Sequence, residues 1–321
     1  MNFVALDDAL SRLAHAVGTD PFVLNSLIAV VLLGVTCGCI GSTVVGNRMA
    51  FFSDAMAHTA FAGVALAVLC IVVLAGIRST RDADPYLWVI LPVMVATGVV
   101  GAVLMTAARE RTGLTNDTVI GVFFAASVGL ATMVLPEVRK FVNIDPEQFL
   151  YGSIVVTRGE DIAYLFALCV VTVASVCWRY NAWAVAAINP SLAKSRGVAV
   201  RLDTYYFAVL LALVVNVSLQ SVGVLLINAL LVVPAAAAAN VARNLRQVFA
   251  FTLFGTVGAG VVGLLISQNV TVPIGRGRGF EPGPSGTIVV VCVLGFFATM
   301  AVGSLRARRA PANTPAPRGV S

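Results

Sequence analysis

The sequence predicts an all-α fold: a polytopic membrane helical bundle of about nine transmembrane helices. Composition and segmentation carry that reading. Of 321 residues, 59% are hydrophobic and 11% charged, with a mean hydropathy of +0.94, whereas soluble domains carry roughly 25% charged residues. So few charges cannot build a water-facing surface for a chain this long. The chain also divides into apolar runs of about 20 residues, the length that a helix needs to cross a bilayer.

Nine runs meet that length, near 22–46, 51–77, 86–108, 117–135, 160–178, 203–219, 223–241, 247–268 and 285–305. The first is preceded by Asp7 and Asp8 rather than a basic leader, so it is expected to be a retained span and not a cleaved signal peptide. Only Gln220-Ser221-Val222-Gly223 separates the sixth from the seventh, because no charge lies between Asp203 and Arg243. Pro92 and Pro234 fall inside spans and are expected to kink them. Gly34 and Gly38, Gly63 and Ala67, and Gly255, Ala259 and Gly263 repeat at the spacing by which small residues let membrane helices approach. All six cysteines lie in the runs and read as small packing residues rather than a disulfide framework.

The basic residues set an orientation. With the N-terminus outside, thirteen of the 21 Lys and Arg fall in inner connections and eight in outer ones, which favours N-out, C-in. The net charge of +6 is then an inner-surface bias, and no nucleic-acid partner is expected. Residues 1–305 read as a single transmembrane domain, and 306–321, rich in Pro, Ala and Arg, as a disordered cytoplasmic tail.

The second run opens with FFSDAMAHTAFAG, which places Asp54 and His58 four residues apart on one helix face. The chain has only two histidines, and the other, His15, precedes the first span and reads as surface. Ionisable residues inside a membrane are costly and usually face a cavity or a partner. Imidazole nitrogen with carboxylate oxygen suits zinc, manganese or ferrous iron. One chain supplies two ligands, and a second copy across a symmetry axis would complete four. The plainer alternative has Asp54 capping the helix or orienting His58.

Between the fifth and sixth runs, residues 186–202 read AAINPSLAKSRGVAVRL. Asn189 suits an N-cap, Pro190 the first helical position and Gly197 the residue after the helix end. A short capped cytoplasmic helix carrying Lys194 and Arg196 is expected there.

Taken together, GNRMAFFSDAMAHTAFAGVAL, NDTVIGVFFAASVGLA, LYGSIVVTRGEDI, NPSLAKSRGVAVRL, QSVGVLLINALLVVPAAAA and PSGTIVVVCVLGFF resemble, in order, the permease subunits of zinc, manganese and iron ABC importers. The resemblance implies an architecture similar to the cobalamin and siderophore importer permeases. It implies two permease copies, as homodimer or heterodimer, over two cytosolic ABC ATP-binding subunits, with an extracellular metal-binding protein delivering cargo. Asp54 and His58 match the pair that contacts the ion in transit. The coupling helix matches Asn189 to Gly197, with Asn189, Pro190, Leu192, Ala193, Lys194, Arg196 and Gly197 as the ATPase-coupling positions. No cofactor is expected to stay bound; zinc, manganese or iron is cargo. The chain departs from the family at Asn189 and Ser191, where acids are common, and in a longer 275–283 loop, GRGRGFEPG.

Other residues bear on rival readings. No G-x-x-x-x-G-K-[ST] occurs, and Lys140 and Lys194 are the only lysines, so nucleotide must be handled by another subunit. Gly283-Pro284-Ser285-Gly286 fits an intramembrane serine hydrolase pattern with His58 as base, although Ser285 reads more simply as a helix cap. A permease of the same architecture for a metal chelate needs a wide pathway and has little use for the Asp–His pair. A secondary transporter with Asp54 as proton site is a further alternative.

Overall fold

The computed structural model describes residues 11, 12, 14, 16, 18, 20–75, 89–138, 159–270, 272–274, 278–280 and 282–309. His15 lies outside them. Nine long helices are present among the described residues, each apolar enough to span a membrane. They are α1 Pro21–Gly46, α2 Ala50–Ala75, α3 Ile90–Thr112, α4 Asn116–Val138 and α5 Gly159–Ile188. The short α6, Pro190–Ser195, leads into α7 Val200–Val222, α8 Val224–Val241 and α9 Leu245–Asn269. An antiparallel hairpin of β1 Val272–Ile274 and β2 Arg278–Phe280 precedes α10 Pro284–Arg309, with Pro273 opposite Gly279. That hairpin occupies the loop whose length stood out in the sequence.

Local chemistry sets the ends of the helices. Pro21 opens α1, where its missing N–H costs nothing. Asn244 accepts from the Gln247 N–H while the Gln247 side chain accepts from the Arg243 N–H, both at 2.8 Å, satisfying donors at the start of α9. Gly113 closes α3 in the left-handed conformation at φ 65. The separation of α7 from α8 falls on Gly223 alone, at φ 83 and ψ 164, a backbone region that a side chain resists.

α1, α2, α7 and α8 form the centre. α1 packs on α9, α5 and α8; α2 on α3 and α4; α8 on α10 and α9; and α7 on α3 and α5. Close approach explains several of the small residues. A Cβ on Gly38 would sit 2.8 Å from the Leu253 backbone, and one on Gly263 2.6 Å from that of Ile288. Gly255 meets nothing nearer than 3.8 Å, so its part of the expected small-residue pattern is not a tight contact.

Three expectations are corrected here. Pro92 lies in the first turn of α3, where no intrahelical N–H is needed, so it starts the helix instead of kinking it. Pro234 does lie inside α8, and its ring removes the bond that the Leu230 carbonyl would otherwise accept. α5 runs ten residues past its expected end at 178. Arg179 is therefore a helical residue, paired with buried Asp203 on α7. α10 continues to Arg309, past the expected boundary at 305.

Candidate metal-transit site

Asp54 is the fifth residue of α2 and His58 follows one turn later. Both are half-buried, while Ala55, Met56 and Ala57 between them are buried. The pair thus shares one partly open helix face, as the spacing requires. On one side of it, Asn228 of α8 donates from Nδ2 to Asp54 Oδ1 at 2.9 Å. On the other, the His58 ring meets Phe124 of α4 edge-on, with centroids 4.5 Å apart and planes at 70°. One residue along, Thr59 and Ser127 share a 2.9 Å hydrogen bond, which fixes α4 against this stretch of α2.

The capping alternative for Asp54 is overturned. Asp54 lies inside the helix and accepts from a different element, and Ser53 donates back to the Ala50 carbonyl at 3.0 Å. Asp54 is bonded to Asn228 and not to His58, so it does not serve to orient the imidazole. A carboxylate and an imidazole on one accessible face can both bind a divalent cation. Among the described residues no group of three or more His, Cys, Asp or Glu gathers to hold a metal. Among the described residues the ionisable ligand set here stops at two.

Asn228 was missed by reading charges. Its signal was present: an amide in the apolar run VLLINALLVV. Its Oδ1 is buried with no hydrogen-bond partner.

The 189–197 segment folds as its caps require. Asn189 Oδ1 accepts from the Ser191 and Leu192 N–H groups at 3.0 and 3.1 Å, and Gly197 adopts φ 79. Ala193 is fully buried and seats the helix, whereas Asn189, Pro190, Leu192, Lys194, Arg196 and Gly197 are exposed. Polar ties surround its exit into α7. Besides Arg179–Asp203, Arg201 Nε donates to Glu110 Oε2 at 2.8 Å and Tyr205 donates to the same oxygen at 3.1 Å.

The hydrolase alternative finds no support. Ser285 lies in the first turn of α10, and its hydroxyl is buried without a partner. It does not cap that helix, and α10 packs chiefly on α8 and α9 whereas His58 lies against Phe124 of α4. All six cysteines are free.

The nine apolar helices define a multi-pass membrane protein. Residues 19–303 match the ABC 3 transport family, and the chain belongs to it. It is 26% identical over 254 residues to the manganese import system permease protein ScaB of Streptococcus parasanguinis, covering 79% of this chain and 84% of that protein. It is 22% identical to the high-affinity zinc uptake system membrane protein ZnuB of Haemophilus influenzae, across 83% and 92% of the two chains. In fold it resembles a chain of PsaBC from Streptococcus pneumoniae, solved in complex with Fab. The TM-score is 0.68, identity 22%, and coverage 89% of this chain and 95% of that one.

Proposed function

We propose that this chain is the permease subunit of an ABC importer that carries a bare divalent transition metal ion, manganese or zinc foremost, into the cell. The observation that carries the reading is the Asp54–His58 pair on one half-buried face of α2, bracketed by Asn228 and Phe124. Family membership and the manganese and zinc relatives supply the cargo class. A chelate would shield the metal and leave a carboxylate–imidazole pair without work to do.

The remainder of the assembly follows from that reading. The face is only partly covered within one chain, which suits a pathway lined by two permease copies with the pairs converging. The exposed residues of α6, Asn189 to Gly197, would seat in a cytosolic ATP-binding subunit, one per permease copy. An extracellular metal-binding protein would deliver cargo to the opposite face. The chain sits in the cell membrane with its N-terminus outside and its C-terminus inside, so that residues 306–321 lie on the cytoplasmic side.

The test is metal accumulation in cells whose own importer is deleted. Asp54→Asn and His58→Ala should each abolish uptake while the complex still assembles and hydrolyses ATP. Full uptake by both variants would end the assignment. Reporter fusions at Ser321 test orientation, and a cytoplasmic signal is expected.

A further inference from the structure

We propose that Asn228 is a third donor to the transported ion, turning its amide over when the ion arrives and weighting the site toward an oxygen-preferring cation such as manganese. The proposal rests on Asp54 and His58 being ion contacts. It names a residue and a selectivity which that reading does not contain.

An ionised carboxylate only accepts hydrogen bonds, so a neighbouring amide must present its NH₂ group to it. The structure has that arrangement: Nδ2 lies 2.9 Å from Asp54 Oδ1. The amide oxygen is left buried with nothing to accept from, an unfavourable state for a strong acceptor. Rotation about the last torsion of an asparagine is soft and nearly two-fold. Half a turn exchanges the nitrogen and oxygen positions, which places Oδ1 where Nδ2 was, about 2.9 Å from the carboxylate oxygen.

Two oxygens at that separation repel unless a cation joins them. A six-coordinate ion with oxygen bonds of ~2.1 Å holds adjacent ligand oxygens ~3 Å apart. The hydrogen bond of the ion-free site is thus as long as one edge of the ion's coordination shell. The exchange requires no backbone movement, and it relieves the orphaned carbonyl as it captures the ion.

The choice of donor has consequences. Carboxylate and carbonyl oxygens suit manganese, whereas imidazole suits zinc. Adding a carbonyl to the Asp–His pair therefore raises manganese affinity selectively. An amide also adds a donor without adding charge within the membrane. Being neutral, it releases the ion more readily than a second carboxylate would, as onward transport demands.

The test is manganese binding to the purified full-length permease complex, followed by Mn²⁺ electron paramagnetic resonance, with zinc competition. Asp54→Asn should abolish binding, and Asn228→Ala should weaken manganese about 10- to 100-fold while moving zinc by less than about threefold. Asn228→Asp keeps an oxygen donor and should bind manganese at least as tightly as the unaltered protein. That recovery separates a lost donor from a damaged fold, which size-exclusion profiles check in parallel. Equal losses of manganese and zinc in Asn228→Ala, or no loss of either, would overturn the proposal and leave the Asp54–His58 reading intact. If the unaltered protein shows no Asp54-dependent binding, that reading falls and the role of Asn228 falls with it.

Discussion

Helices α7 and α10 make an instructive pair. The apolar stretch of α7 is 67% buried against other helices, that of α10 only 11%, yet α10 is the more apolar of the two. α7 keeps Asp203, Asn216, Ser218 and Ser221 out of reach of the surroundings, whereas α10 displays Leu294, Phe297 and Met300. In a soluble protein the order would be reversed. Lipid is as apolar as leucine, so burial here rewards tight packing and polar contacts instead of escape from water. The candidate site follows the same gradient: Asp54 and Asn228 lie on α2 and α8, beside α7 at the centre, away from the exposed face of α10.

Matched substitutions sharpen this contrast. Stability of each variant is to be read from SDS titration in mixed micelles, with retained fold checked by size exclusion. The largest loss is expected for Asp203→Ala, which strands the Arg179 guanidinium. Removing one member of a buried pair costs about 3–5 kcal/mol, and Asp203 is the enclosed member here. Next comes Leu211→Ala on α7, fully buried, at about 2–5 kcal/mol for the cavity and lost contacts. Gly98→Ala should cost about 1–3 kcal/mol through overpacking, because its new methyl would lie 2.2 Å from Asn216 Nδ2. The smallest effect belongs to Leu294→Ala on α10, 62% exposed and expected to change stability by less than about 0.5 kcal/mol. Equal costs at Leu211 and Leu294 would break the comparison, because burial would then not distinguish the two helices.

Much of the fold was legible because spans are written in length and apolarity. The division at 220–223 was legible too, since Gly223 is the one residue there that adopts a positive φ without strain. Failures occurred where tertiary partners decide. Arg179 looked like a loop residue because a charge ended the apolar run, and only the fold brings Asp203 to neutralise it. Asn228 escaped because the search followed charge, whereas an uncharged amide leaves hydropathy almost unmoved. The spacing placed Asp54 and His58 on one face, but it could not say that Asn228 and Phe124 would bracket them. Ser285 was assigned a capping role from sequence position alone, and its hydroxyl makes no such bond.

The single residue between α7 and α8 turns two helices into a bell crank. Asp203 and Arg201 clasp one arm to its neighbours beside α6, and the other arm carries Asn228 against Asp54. With Gly223 as fulcrum and no slack chain between them, the helix that begins beside α6 and the helix that carries the amide facing the carboxylate are joined by a single bend. A β-branched residue at 223 would strain that fulcrum, because φ 83 is a conformation that such a side chain resists.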